Sequence, residues 1–277
     1  MRTLFDSAAA PLQGIHVGIG GWVYAPWRGG MFYPEGLVQR RELEYASRQL
    51  TAIEINGTYY GAQKPATYAK WRDEVPPGFV FSAKAPRRIT QSRQLAATGH
   101  QVEDFIGGIA ELGERLGPLV WQFEQGHHLQ LDELDAFLSL LPRQVGGRPS
   151  RHVLEIRDPA VVDAALVALV RRHGVATVYT DSDTHPSFAD LSAEFVYARL
   201  MRSQARLHAG YSAPALTDWA GRIHAWRRGE DPTDLPHAAP EAAAPHAPRE
   251  VFVFFISAAK ERNPAAAMAL LQVLQAR

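Results

Sequence analysis

The chain has 277 residues, of which 46% are hydrophobic, and its 29 Lys and Arg side chains balance its 29 Asp and Glu side chains. This length can bury a sizeable core, as one large domain or two modest ones. A formal net charge of zero argues against general attraction to nucleic acid or anionic membrane, although a local basic patch is compatible with it. The absence of cysteine excludes disulfides, cysteine-ligated zinc, iron–sulfur clusters and thiol catalysis.

Neither the N-terminus nor the apolar segments predict contact with a membrane. Residues 1–14 lack the apolar centre of a secretory signal peptide and predict a short loose tail. The longest apolar stretches, 161–170 and 251–256, are much shorter than the roughly 20 residues of a membrane-spanning helix. We therefore expect a soluble cytoplasmic protein.

Eight short segments rich in apolar, β-branched and aromatic residues predict strands. Most are almost continuously apolar, which is typical of strands buried on both faces. They are residues 15–20, 52–56, 79–85, 119–123, 152–156, 176–180, 195–200 and 251–256.

Helical periodicity marks several of the segments between these strands. Residues 102–112 carry a clear apolar stripe, and 162–170 carry another that ends in a cationic turn followed by Gly174. The last helix is predicted to open at Asn263-Pro264. Strands that alternate with helices over about 250 residues predict an α/β fold, a single (β/α)₈ TIM-type barrel over residues 15–277. A doubly wound open sheet is the alternative.

Two predicted connections depart from a regular barrel. The sixth and seventh strands begin at residues 176 and 195, too close for a full helix and two loops, so this connection is predicted to be shortened. The seventh and eighth strands are separated by a helix at about 216–228 and by residues 229–250, which contain five prolines and six alanines. That composition predicts a surface insertion resembling a linker, without chemistry.

Functional residues of a TIM-type barrel lie at or just after the C-terminal ends of its strands. Polar and charged residues occupy these positions in the predicted strands, although charges are costly to bury unless they are paired or used. We interpret them as a site, with a self-satisfied ion-pair network of Glu54, Lys84, Glu155 and Arg199 as the alternative. The predicted catalytic residues are Glu54, Glu155 and Asp181, and the predicted substrate-binding residues are Trp22, Asn56, Tyr59, Lys84, Arg87, Gln122, Arg157 and Arg199.

Cations outnumber acids among these strand-end residues, and arginine matches the oxygens of phosphate or carboxylate groups. An anionic ligand is therefore expected. Lys260 and Arg262 follow the eighth strand, where barrels often bind phosphate, but we interpret these two as solvated loop residues. The aromatic loop over residues 20–37 suits the packing of a nucleobase or sugar ring. It equally suits a lid that closes the top of the barrel through its own hydrophobic contacts.

Metal and cofactor motifs are missing from the sequence. It contains no HExxH, EF-hand, Walker A or GxSxG pattern, and Val23 occupies the place of the third glycine of a dinucleotide-binding fingerprint. Glu54, Glu155 and Asp181 could supply oxygen ligands, but the neighbouring cations would oppose a divalent ion. We expect neither a metal nor a cofactor.

Several motifs, in order along the chain, resemble the DUF72 (YecE-like) family. They include Gly18-Ile-Gly-Gly-Trp-Val-Tyr, Glu54-Ile-Asn-Gly-Thr-Tyr-Tyr, Phe81-Ser-Ala-Lys-Ala-Pro-Arg-Arg, Val120-Trp-Gln-Phe, Glu155-Ile-Arg-Asp-Pro and Tyr197-Ala-Arg-Leu. The resemblance implies a TIM-type barrel and implies little about activity. Three positions depart from the usual family pattern: Asp158 stands where a histidine is usual, Ser257-Ala-Ala where asparagines are usual, and Gly57 where Ser or Thr is typical.

We hypothesise an enzyme that acts on a small anionic compound containing a ring, such as a phosphorylated sugar or a nucleotide-like molecule. Lys84, Arg157 and Arg199 would hold the anion, and Glu54 or Glu155 would be the general acid/base. Asn56, Tyr59 and Gln122 would orient the substrate. Two alternatives are a non-catalytic module that binds nucleic acid or protein and a metal-dependent sugar isomerase or endonuclease-like enzyme. The sequence does not predict the oligomeric state.

Overall fold

The computed structural model describes residues 8–10, 12–127 and 129–276, so most of the predicted tail, residues 1–7 and 11, lies outside the described residues. Eight parallel strands of the described chain close into a barrel, which confirms the predicted TIM-type fold over the open sheet. The strands are β1 Ile15–Gly20, β2 Ala52–Ile55, β3 Val80–Lys84, β4 Leu116–Phe123, β5 His152–Ile156, β6 Ala176–Asp181, β7 Phe195–Leu200 and β8 Glu250–Phe255.

Helices occupy most of the connections between strands. The residues at their ends explain some of the bounds. In the helix Ala164–His173, Asp163 accepts a hydrogen bond from the Leu166 amide at the start, and Gly174 ends the helix in a left-handed conformation, φ 65°. The helices are α1 Glu42–Gln49, α2 Pro65–Glu74, α3 Arg87–Thr90, α4 Gly99–Ile109, α5 Leu131–Leu140, α6 Ala164–His173, α7 Ala213–Arg228 and α8 Asn263–Gln275. A small antiparallel hairpin, Gln144–Val145 with Arg148–Pro149, precedes β5.

The register of the strands brings polar residues to one end of the barrel. Glu54 is paired with Gly20 of β1 and with Ser82 of β3, and Gln122 is paired with Glu155. On the other side of the barrel, Arg199 of β7 is paired with Thr180 of β6. Because all strands run in the same direction, their C-terminal ends form a single mouth, and these side chains lie at or just below it.

One close approach between strands depends on a glycine. A Cβ atom built on Gly18 would lie 1.9 Å from the carbonyl oxygen of Ala52, which is its partner residue in β2. Only a residue without a side chain allows β1 and β2 to pair at this position.

The two irregular connections have the lengths expected from the sequence. No helix occurs among residues 182–194, all of which are described, between β6 and β7. After α7, residues 229–249 contain neither helix nor strand, but they are held against the barrel by the buried Arg249, which is 4% exposed. Its guanidinium donates hydrogen bonds to the carbonyls of Pro245, Ala247 and Ala193, at 2.9, 3.0 and 3.1 Å. No helix in the described part of the chain has the length and apolar character of a membrane span.

Candidate functional site

A cavity of about 580 Å³ opens at the mouth of the barrel. Four aromatic side chains and four cations line it, and no Asp or Glu is among its lining residues in the described chain. Five of the predicted site residues line the cavity: Trp22, Asn56, Lys84, Arg157 and Arg199. The other lining residues are Gly20, Gly21, Val23, Ile55, Gly57, Tyr60, Gln63, Trp71, Met201, Phe255, Ile256, Ser257, Lys260 and Asn263.

Glu54 lies beneath this cavity, inside the barrel, and its side chain is fully buried. Its Oε2 accepts hydrogen bonds from Nε and Nη2 of Arg199, at 3.0 and 2.6 Å, and from the hydroxyl of Tyr197 at 2.5 Å. The Tyr197 hydroxyl also lies 2.9 Å from Oγ of Ser82. A carboxylate held in this way is an internal counterion of Arg199, because burial of either charge alone would be costly.

Glu155 is a second buried carboxylate and contacts three cations. It forms an ion pair with Nη1 of Arg199, accepts hydrogen bonds from Nε and Nη2 of Arg157 at 3.1 and 3.0 Å, and lies 3.8 Å from Nζ of Lys84. Burial acts to raise the pKa of Glu155, but the charges of Arg199, Lys84 and Arg157 outweigh it and lower the pKa to about 2. Glu155 is therefore ionised at neutral pH.

Lys84 connects this buried network to the cavity. The residue is 9% exposed, and its Nζ donates a hydrogen bond to Oε1 of Gln122 and lies 5.3 Å from the centre of the Tyr59 ring. Burial, followed by the charge of Arg199, lowers the pKa of Lys84 to about 8. About a tenth of this amine is consequently neutral at pH 7.

Glu124, just after β4, contacts three of the predicted substrate-binding residues. It accepts hydrogen bonds from the hydroxyl of Tyr59 at 2.8 Å and from the amide of Gln122, and its Oε2 lies 3.1 Å from Nη1 of Arg157. Burial and the hydrogen bond to Glu124 raise the pKa of Tyr59 to about 12. Tyr59 and Gln122 contact this network and are not lining residues of the cavity.

Two predicted site residues lie away from the cavity. Asp181 accepts from Nε of Arg202 at 2.8 Å, and the same guanidinium also contacts Asp183 at 2.9 Å. Burial raises the pKa of Asp181, although Arg202 opposes the shift. The guanidinium of Arg87 lies 5.7 Å from the centre of the Tyr60 ring. Neither Asp181 nor Arg87 is a lining residue, so the structure does not bring them together with Lys84 and Arg157.

Two further charged or titratable residues, a lysine of the cavity wall and a histidine whose pKa is affected by Arg157, are not among the predicted site residues. Lys260 lines the cavity, with Nζ 4.5 Å from the centre of the Tyr24 ring, so the expectation of a solvated loop residue is wrong for it. His185, in the connection between β6 and β7, has a pKa lowered by burial and by Arg157. Neither follows a recognisable motif. Lys260 could have been selected from the sequence only by its position after the eighth strand. His185 lies in a connection that has no motif or periodicity by which it could have been selected.

The charges of this network balance one another, from its buried members to its partly exposed ones. Three cations, Lys84, Arg157 and Arg199, face three carboxylates, Glu54, Glu124 and Glu155. The excess of cations expected from the sequence is thus neutralised within the network, while the cavity wall still presents only cations. In the described part of the chain, no three His, Cys, Asp or Glu side chains come together as a metal site.

Solved structures show what this fold resembles. A DUF72 family protein from Thermotoga maritima has a TM-score of 0.69 and 18% identity, over 95% of this chain and 98% of that one. A second, from Enterococcus faecalis, has a TM-score of 0.65 and 16% identity, over 94% and 97% of the two chains. SacUVDE is 10% identical with a TM-score of 0.54, over 95% of this chain and 98% of that one, which is a likeness of fold alone.

No curated protein is significantly similar to the chain. The model of the family described as "Protein of unknown function DUF72" matches residues 16–277. This match covers almost the whole sequence, including every residue of the cavity wall and all strand residues of the barrel except Ile15. The chain therefore belongs to the DUF72 family.

Proposed function

We propose that the protein is an enzyme whose mouth cavity binds a small anionic compound containing a ring, such as a sugar phosphate. The observation that carries this proposal is the charge of the cavity wall: Lys84, Arg157, Arg199 and Lys260 line it together with no carboxylate from the described chain. A cavity of about 580 Å³ is within the range usual for small-molecule sites.

The cations line the cavity wall, whereas the carboxylates that neutralise them lie behind the wall. This separation supports anion binding. The carboxylates of Glu54 and Glu155 neutralise the arginines from below, so the cations can be held in place without closing the site. Lys260 has no ion-pair partner among the described residues, and its ammonium group is available to a ligand anion. Trp22, Tyr60 and Trp71 supply the aromatic surface that a ring can pack against.

The roles of the acidic residues differ in this proposal from those expected at first. Glu155 has a pKa of about 2, so it is a poor general acid or base at neutral pH. Glu54 is fully buried and bonded to Arg199 and Tyr197. We assign both as counterions that position the cations, and we assign the chemistry of the cavity to the amine of Lys84, whose pKa of about 8 is close to neutral pH.

Calorimetry on two neighbouring variants tests this assignment. Lys260→Gln removes a cation from the cavity wall, and Arg262→Gln is the matched control, since Arg262 lies in the same turn but donates to the carbonyl of Ala205 outside the cavity. The wild-type chain should bind ribose 5-phosphate and not ribose, and Lys260→Gln should weaken this binding by about tenfold, or 1.4 kcal/mol. The Arg262→Gln variant should keep the affinity of the wild-type chain.

Two results would count against the proposal. If neither ribose 5-phosphate nor a nucleoside monophosphate bound the wild-type chain, the cavity would not be an anion site. Retention of the same chain on single-stranded DNA at low salt would then favour the nucleic-acid module. Equal weakening in the two variants would show that overall charge, and not the cavity wall, attracts the ligand.

A further inference from the structure

We infer that Lys84 is an amine nucleophile that forms an imine with an aldehyde or ketone carbonyl, so that the substrate of the cavity is a carbonyl compound carrying an anionic group. An open-chain sugar phosphate fits this description. The inference rests on the proposed function, because it takes anion binding in the cavity as its starting point.

The position of Lys84 is the first support. It is the last residue of β3, at the C-terminal end of the strand, so its side chain is fixed by the barrel and not by a loop. Its side chain lines the cavity while remaining mostly buried. An amine held in this way is within reach of a ligand and is protected from bulk water.

The partners of Nζ are the second support. Gln122 accepts one hydrogen bond from it, and the carboxylate of Glu155 lies 3.8 Å away. An imine formed at this nitrogen is cationic when protonated, and Glu155 would stabilise that charge at the same place. The guanidinium of Arg199 bonds the same carboxylate and favours the neutral amine by repulsion, and the lowered pKa of Lys84 agrees with this.

The proposed step is balanced without a further reactant. The ammonium group first loses a proton, and the nitrogen lone pair then adds to the carbonyl carbon while the C=O π electrons move to oxygen. Proton transfer from nitrogen to that oxygen gives a carbinolamine. The C–O bond then breaks, the hydroxyl group leaves as water with the proton lost at the start, and a protonated imine remains. Overall, an ammonium and a carbonyl give an iminium ion and water.

Burial also lowers the pKa of Lys260, the other amine of the cavity, but its contacts differ from those of Lys84. Nζ of Lys260 lies 4.5 and 5.7 Å from the ring centres of Tyr24 and Trp27, and no carboxylate of the described chain forms an ion pair with it. The structure therefore assigns the nucleophile to Lys84 and anion binding to Lys260.

Reductive trapping tests the inference on the intact chain. The sequence has four lysines, of which Lys64 and Lys70 are exposed and report unspecific reaction with a sugar. The protein is incubated with ribose 5-phosphate and sodium cyanoborohydride, which reduces an iminium ion to a stable secondary amine, and each lysine is then quantified by peptide mass spectrometry. Lys84 should be modified at least tenfold faster than Lys64 and Lys70. Excess ribitol 5-phosphate, which has no carbonyl, should slow the modification of Lys84 and leave that of Lys64 and Lys70 unchanged.

The two proposals fail separately in this experiment. Modification of Lys84 no faster than that of Lys64, in a chain that still binds ribitol 5-phosphate, would overturn the imine and leave anion binding intact. Loss of ribitol 5-phosphate binding as well would overturn the proposed function. Preferential modification of Lys260 would refute the assignment to Lys84. Lys84→Met should remove only the fast reaction. If that variant does not fold, the competition by ribitol 5-phosphate in the wild-type chain tests whether the fast reaction takes place in the cavity.

Discussion

Lys84 stands in surroundings where its own positive charge is costly. It is 9% exposed, and the guanidiniums of Arg199 and Arg157 both act against its ammonium form, while Glu155 and Glu54 favour it. Burial is the largest influence on its pKa, and the carboxylates compensate only in part. A residue placed in this way has a measurable effect on how stability depends on pH.

Because Lys84 has a pKa of about 8 in the folded chain and about 10.4 when unfolded, the unfolded chain binds more protons between these values. The free energy of unfolding should therefore rise with pH from about 8, by up to about 1.4 kcal/mol per pH unit. Buried tyrosines such as Tyr211, whose pKa is raised by burial, reverse this trend above about pH 10.

Urea denaturation between pH 7.5 and 9.5 measures this slope. It should be present in the wild-type chain and in Lys70→Met, which alters an exposed lysine of α2, and should be lost in Lys84→Met. A slope that persisted in Lys84→Met would show that another group titrates in this range.

At the same scale, the sequence offered an ion-pair network of Glu54, Lys84, Glu155 and Arg199 as the alternative to a site, but it did not indicate which of these residues contact each other. Glu54 and Arg199 are separated by 145 positions and meet only because β2 and β7 face each other across the barrel. The strand-end rule selects residues by position, whereas pairing depends on the direction and reach of each side chain. The same limit explains why Asp181 was selected with Glu54, although the structure pairs Asp181 with Arg202.

Among the elements, the loop after β8 carries unusual backbone. Ser257 and Ala258 have φ angles of 59° and 48°, in the left-handed region that costs most non-glycine residues about 1–2 kcal/mol. The DUF72 pattern that the sequence resembles usually has asparagines at these positions. Asparagine tolerates this conformation better than alanine does. The strain lies beside the cavity, because Ser257 is one of its lining residues.

Ala258→Gly should therefore raise the free energy of unfolding by about 1 kcal/mol, because glycine adopts a positive φ without steric cost. Ala259→Gly is the matched control, since Ala259 has an ordinary φ of −76°, and there the added freedom of the unfolded chain should lower stability. Thermal and urea unfolding of both variants measure the difference. Equal changes in the two variants would contradict a role for backbone strain.

The elements themselves were largely predictable. All eight strands occur where apolar runs were found, with bounds that differ by three residues at most. The largest difference is at β4, which begins at Leu116 and includes Gly117 and Pro118, two residues that normally indicate a turn. A continuous run of apolar residues identifies a strand that is buried on both faces. It does not show that the strand begins earlier, at residues of types that are typical of turns.

At the scale of the whole molecule, the proline- and alanine-rich connection before β8 makes more hydrogen bonds to other parts of the chain than its composition predicts. Asp190 accepts hydrogen bonds from the backbone amides of Ala238 and Ala239, at 2.7 and 2.9 Å. Arg249 donates to carbonyls of the same connection and to Ala193. The composition of a segment predicts how much apolar surface it can bury. It does not predict these hydrogen bonds, because they depend on side chains that lie outside the proline- and alanine-rich connection or at its end.

Arg249→Met should release this connection, because the variant keeps a long apolar side chain and loses every donor. We expect cleavage within residues 229–248 by proteinase K to become about tenfold faster, while Arg228→Met, which removes an exposed ion pair with Glu230, should leave the rate unchanged. Limited proteolysis followed by mass spectrometry locates the cut. Cleavage at unchanged rates in Arg249→Met would show that Asp190 and apolar contacts hold the segment without it.

The pairing of β1 with β8 also determines when the fold can be completed during synthesis. Ile15 pairs with Val251 and Ile19 with Phe255, so the strand made first closes against the strand made last. Until β8 has left the ribosome, β1 keeps an open, apolar edge of the kind that pairs with other chains. Barrel closure therefore waits until residues 251–255 have been made, and a nascent chain halted before residue 250 exposes this edge for association.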